Sequence, residues 1–133
     1  MKIVIDGKPM GKQRPRFNTK TGKAYTADKT VNYENWVKLC YQQQCKGEKL
    51  TGEVVAFINA YYVIPKSTSK KNKKDMLAGI IRPTIKPDVD NIAKVILDSL
   101  NGLAYKDDKQ IVFCTINKWY GENPRVEVIL EEA

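Results

Sequence analysis

In the stretch KPDVDNIAKVILDSLNGLAYKDDKQI, residues 86–111, two aspartates stand one residue apart before an apolar helical pattern and two more follow it. The first pair is Asp88 and Asp90, the second Asp107 and Asp108. Carboxylate oxygens are hard donors, suited to hard divalent ions such as Mg²⁺ or Mn²⁺. Where Pro87 to Asp90 is extended, side chains two apart point the same way, so Asp88 and Asp90 can share one cation. Lys94 follows Asp90 by four residues, one helical turn, and its ammonium can reach the same pocket. An ion held there can generate hydroxide from bound water and stabilise a leaving oxygen, the more so when two ions stand about 4 Å apart. Those are the needs of phosphodiester cleavage.

A helix over residues 91–100 must position these groups, with Val89, Ile92, Ala93, Ile96 and Leu100 on one face and Lys94 and Asp98 on the other. Asn101-Gly102 stops it. A return of the chain onto a sheet could then bring Asp107 or Asp108 back beside Asp88 and Asp90. A plainer reading stands next to this one: Asp90 caps the helix, a service worth about 0.5 to 2 kcal/mol, and Asp107-Asp108-Lys109 is a polar turn.

The acid is concentrated in a basic chain. The 133 residues carry 23 Lys and Arg against 15 Asp and Glu, a net charge of +8. Such a balance favours a polyanionic partner, nucleic acid first, because each neutralised phosphate releases condensed counterion. With no histidine and no CxxC pair among its three cysteines, the chain is a poor candidate for zinc, haem or a histidine-dependent triad. An EF-hand loop aligned at Asp88 puts Ala93 where glycine is required and Ser99 at the twelfth position, which argues against calcium sensing. No GxxxxGK[ST] occurs, so a P-loop hydrolase is excluded. The odd cysteine count suits a reducing cytoplasm, the start MKIVIDGKPMGK lacks the apolar run of a signal peptide, and no apolar run approaches membrane-spanning length.

The rest of the chain reads as one α/β (α+β) domain over residues 1–133, a mixed sheet of about four strands packed with helices. MKIVIDG alternates as a first strand. KPMGKQRPRFNTKTGKAYT is a basic loop with hairpin character. Residues 28–46 form a helix, opened by Thr26 or Asp28, whose face is built from Val31, Trp36, Leu39 and Cys40, with Tyr33 and Val37 nearby. EVVAFINAYYVIP is uniformly apolar and belongs near the sheet centre. Residues 66–79 are a short basic helix or a mobile loop. QIVFCTINKWY and RVEVILEEA, joined by GENP, read as a hairpin.

Asp-x-Asp-Asn, a Lys three residues after the Asn, an Asp-x-Leu at the helix end and a later Asp-Asp-x-Gln together resemble the signature of RusA-type endodeoxyribonucleases. These are Holliday junction resolvases of bacteria and of phage or prophage regions, acting in DNA recombination and repair. More loosely, GKQRPRF followed by YT and a helix is similar to the amino-terminal portion of phage-type members. The resemblance implies that Asp88, Asp90 and Asp108 hold Mg²⁺ or Mn²⁺, that Lys94 assists catalysis, and that Asp107 is a weaker substitute for Asp108. It implies a DNA substrate, a four-way junction or other branched form, and a homodimer, since two symmetric cuts require two sites. Lys12, Arg14 and Arg16 in the first basic loop, with Lys70, Lys71, Lys73 and Lys74 in the second, would track phosphates. The competing readings are a basic nucleic-acid-binding module without catalysis and a nuclease for flaps or forks.

Overall fold

Alternation of apolar and polar residues builds the sheet. The computed structural model describes residues 1–13, 16–25 and 27–133. Strand β1 (Lys2–Asp6) buries Ile3 and Ile5, β4 (Val54–Val63) buries every second residue from Val54 to Tyr62, and β6 (Arg125–Glu132) buries Val126, Val128 and Leu130. With β5 (Ile111–Gly121) they form one four-stranded sheet in the order β1-β6-β4-β5, in which β4 pairs with β5 in parallel and the other pairs are antiparallel. The inward residues meet two helices, α1 (Asp28–Cys45) and α3 (Val89–Leu100), which pack on each other. Their contribution is Tyr33, Val37, Cys40 and Tyr41 from α1 and Ile92, Val95, Ile96 and Leu100 from α3. Each such side chain, fully buried, contributes roughly 1.5 to 3 kcal/mol.

The hairpin reading of the last two strands does not hold: β5 and β6 are not neighbours, because β4 lies between them. A strand apolar along its whole length needs partners on both edges, and β4 takes one run on each side. The link, residues 122–124, crosses the end of β4 and has to cover only two strand spacings of about 4.8 Å. The face of α1 also differs from expectation. Val31, Trp36 and Leu39 are exposed, and the buried stripe runs Tyr33, Val37, Cys40, Tyr41, the spacing of a single helical face. Val89, in the first turn of α3, is exposed as well.

The second basic segment is a helix, α2 (Lys70–Leu77), capped by the Ser69 hydroxyl, which accepts from the Asn72 amide at 3.2 Å. It packs beside β5 and buries none of its residues. The first basic segment contains a small hairpin, β2 (Arg16–Asn18) with β3 (Lys23–Tyr25), exposed throughout. Thr26, one cap candidate for α1, and Arg14 lie outside the described residues. Among the described residues no helix is long and apolar enough to cross a membrane.

Candidate active site at the two ends of α3

The chain enters α3 against the far end of β4. The buried Tyr62 hydroxyl donates to the Pro87 carbonyl at 2.9 Å and fixes the approach. Burial, reinforced by the charge of Asp88, pushes the Tyr62 phenol up to about 12, so it is a neutral donor and no base. Asp88 occupies the N-cap position of α3, yet its side chain caps no amide of the first turn; its Oδ1 accepts from the Asn91 side chain at 2.7 Å. Asp90 sits in the first turn. That Asn91 hydrogen bond holds the Asp88 carboxyl below the usual carboxylate range, helped by its own backbone amide and by the Lys118 charge. Both carboxylates are exposed.

Beside them lies an open groove of about 730 Å³, walled by Lys8, Lys12, Lys86 and Lys118 together with Asp88 and Asn91. Residues 8–13 cross over from β1 to form one wall, pinned where the Gln13 amide donates to the buried Thr30 hydroxyl at 2.9 Å. Gly11 allows that crossing: a Cβ there would lie 2.8 Å from the Cβ of Pro87 and 3.1 Å from that of Asn91. Lys118 reaches in from β5, donating to the Ile85 carbonyl with its ammonium 5.1 Å from the centre of the Tyr62 ring. Sequence reasoning missed Lys118. The available signal was a lysine in phase with Ile116 and Tyr120 on an otherwise apolar strand.

The other end of α3 is built differently. The chain turns at Asn101-Gly102 and is tied down by the Ala104 carbonyl, which accepts from the Leu50 amide at 2.7 Å. The buried Tyr105 donates its hydroxyl to the Leu97 carbonyl at 2.5 Å. Asp107 then caps a single 3-10 turn over Asp108–Gln110: its carboxylate accepts from the Lys109 amide at 2.9 Å, and the Gln110 side chain accepts from the Asp107 amide at 3.0 Å. Asp107 is thereby held below the usual carboxylate range, the Lys109 amide being the main cause. Asp108 is pushed above it, first by burial and then by the neighbouring Asp107 and Asp98. Of the second pair, Asp107 is occupied in the turn.

The three expected metal ligands do not converge within the chain. Asp88 and Asp98 are ten residues apart on α3, about 15 Å at the helical rise, and Asp108 belongs to the Asp98 end. The sheet dictates this outcome. Because β5 runs parallel to β4, with Val54 opposite Ile111 and Tyr62 opposite Tyr120, β5 must start where α3 ends, some 25 Å along the strands from Pro87. Among the described residues no three His, Cys, Asp or Glu side chains stand close enough to hold one ion.

Across residues 6–131, nearly the whole chain, the sequence matches the family model described as endodeoxyribonuclease RusA. The chain belongs to the RusA family. It is also similar to the uncharacterized protein YqaN of Bacillus subtilis (strain 168), with 40% identity over 137 aligned positions that cover all of this chain and 96% of that protein.

RusA-family chains are endodeoxyribonucleases, and the remaining basic residues can be placed against that activity. Lys94 is exposed, on the turn of α3 that follows Asp90. Lys12 is not a free cation: its ammonium meets Asp98 Oδ2 at 2.7 Å, which raises its proton affinity and ties the groove wall to the far half of α3. Arg16 is exposed on β2, and Lys70, Lys71, Lys73 and Lys74 are exposed on α2. As donors, Asp88 and Asp90 fit a hard divalent ion: two carboxylates two residues apart at the start of α3, both open to solvent for water ligands.

Proposed function

We propose that this protein is a Mg²⁺- or Mn²⁺-dependent endodeoxyribonuclease that resolves four-way DNA junctions by paired symmetric cuts, serving recombination and repair. The observation that carries the reading is the exposed Asp88 carboxylate at the rim of a groove walled by four lysines, with Asp90 exposed two residues on in the first turn of α3. Without a cation, two neighbouring acids repel; without acids, a lysine groove binds phosphate but does not cut it.

In this reading Asp88 and Asp90 hold the ion, with Asn91 orienting Asp88. A divalent ion bound there supplies a nucleophile near neutral pH and stabilises charge on the leaving oxygen. Lys94 and Lys118 stabilise the phosphate as charge develops on it. Lys8 and Lys86 seat the backbone strand in the groove, and Arg16 with Lys70, Lys71, Lys73 and Lys74 extend the grip on flanking phosphates, giving affinity with little sequence information. The third carboxylate, Asp108, is about a strand length away in its own chain, so it reaches this site only from a second copy. A two-fold homodimer would supply it twice and would also supply the two cuts that a junction requires.

Incubating the protein with a synthetic four-way junction, a fork and a duplex, with and without Mg²⁺, tests the reading. The expected result is symmetric nicking of the junction that needs metal and is lost in Asp90→Asn. Junction binding with no metal-dependent cleavage would make the protein a binding module, and preferential cutting of the fork would change the substrate.

A further inference from the structure

The groove beside Asp88 has more than lysine in its walls. Between the ammonium groups it is lined by Pro9, Met10, Ile85 and Pro87, an apolar strip in a channel whose charge suits a polyanion. Ile85 is 56% exposed, and the phosphate contacts of the proposed function make no use of it. One exposed isoleucine on an open surface would mean nothing by itself. This one lines a lysine groove and precedes Asp88 by three residues, a chain distance of at most about 11 Å.

The segment that carries Ile85 is held at several points. At Gly79 the chain runs so close to Trp119 that a Cβ would lie 3.0 Å from the ring. Arg82 stacks 3.8 Å from the centre of that ring, its Nε donates to the Lys118 carbonyl at 2.9 Å, and it reaches Asn117 Oδ1 at 3.0 Å. Trp119 is itself fixed, its Nε1 donating to Asn59 Oδ1 at 2.8 Å. Pro83 is buried, and the Lys118 ammonium donates to the Ile85 carbonyl. An apolar side chain on backbone anchored in this way is positioned before any partner arrives, so covering it costs little further freedom.

We propose that Ile85 is a specificity-determining contact for interrupted base stacking: it packs against the face of a base left uncovered at a DNA branch point, beside the strand seated in the groove. The inference rests on the nuclease reading and names what that site selects. Within a duplex each base face is covered by its neighbours, and a protein meets only base edges and backbone. At a branch point the stack is broken, and an aliphatic side chain finds a face to cover, the chemistry by which apolar wedges hold base steps apart. The lysines hold any phosphate chain alike, whereas Ile85 favours a branched one. At 3.4 Å per step along a strand, the reach from Asp88 puts the contacted base within about three steps of the cut.

A fluorescent adenine analogue that brightens when its stacking is lost tests this contact. It is placed at the centre of a synthetic four-way junction or, as a second probe, far out in one arm, and is titrated with the full chain in EDTA. Wild type should brighten the central probe and leave the arm probe unchanged. Ile85→Ser should bind the junction within about threefold of wild type, phosphate contacts supplying most of the affinity, yet lose most of the central signal. Ile85→Leu should retain it. Ile80→Ser removes a side chain that is 72% exposed on the same segment but outside the groove lining, and should brighten the centre as wild type does. A central probe that brightens equally with Ile85→Ser, or that stays dark with a wild type able to cut the junction in Mg²⁺, would overturn this contact and leave the nuclease standing. A wild type that opens the centre through Ile85 but cuts nothing in Mg²⁺ would uphold the contact and overturn the nuclease.

Discussion

The two ends of α3 carry similar acids in opposite electrostatic states. At the start, Asn91, backbone amide and Lys118 surround Asp88 with donors and keep it ionised, the state that the proposed cation site requires. At the end, Asp108 is crowded by burial and by Asp107 and Asp98, so its charge is held at a cost until an opposite charge arrives. Asp107 differs again, its carboxylate being spent on a turn. Acid content alone therefore does not define a site; what matters is whether the surrounding groups satisfy the charge or leave it waiting.

The largest effect on this contrast should come from removing an acid of the proposed metal site. Asp90→Asn and Asp108→Asn should each lower junction cleavage by at least about 10²-fold with binding retained, the scale of losing one electrostatic stabiliser in a transition state. A junction-cleavage time course beside a gel-shift titration checks this. Next comes the spacer between the ends: Ile96→Ala removes fully buried volume from α3 and should destabilise the fold by about 2 to 5 kcal/mol, read by chemical denaturation.

A smaller effect separates the two ends by stability and pH. Asp88 has its folded pKa depressed, so its contribution is present above its unfolded value near 3.8 and is lost as pH falls through the folded value. Asp108 has the opposite sign: its folded pKa is raised, so ionising it disfavours the fold as pH rises above the unfolded value. At pH 7 and without metal, Asp108→Asn should melt at the same temperature as wild type or higher, and Asp88→Asn lower. Carboxyl NMR titration should find Asp88 below the ordinary aspartate value and Asp108 above it. The smallest effect is expected at Asn91→Ala, which leaves Asp88 in place but unoriented and should weaken metal-dependent cleavage by about 10- to 100-fold, the range for groups that orient a ligand.

The sequence made the elements legible because periodicity reports burial directly. Alternation marked β1 and β6, an unbroken apolar run marked β4, and the 3.6-residue period with Asn-Gly after it marked α3 nearly to its ends. Strand order was hidden, since GENP between two strands looks the same whether the strands pair or are parted by β4. That misreading has a direct consequence at the site. A chain returning onto the sheet can approach Asp88 or start at the opposite end, and only the parallel pairing of β4 with β5 decides it. Lys118 and the Lys12–Asp98 ion pair escaped for a related reason: both join residues far apart in the chain, for which local spacing carries no signal.

The most direct measurement mixes two inactive variants. Asp90→Asn and Asp108→Asn are allowed to exchange subunits and are then assayed on a four-way junction with Mg²⁺. If Asp108 serves the neighbouring copy, each mixed dimer holds one doubly defective site and one wholly intact site, so random exchange restores roughly a quarter of the sites. The expected result is single-strand nicking by the mixture that neither variant shows alone. A mixture as inactive as its components, with exchange verified, would contradict a site shared between two chains.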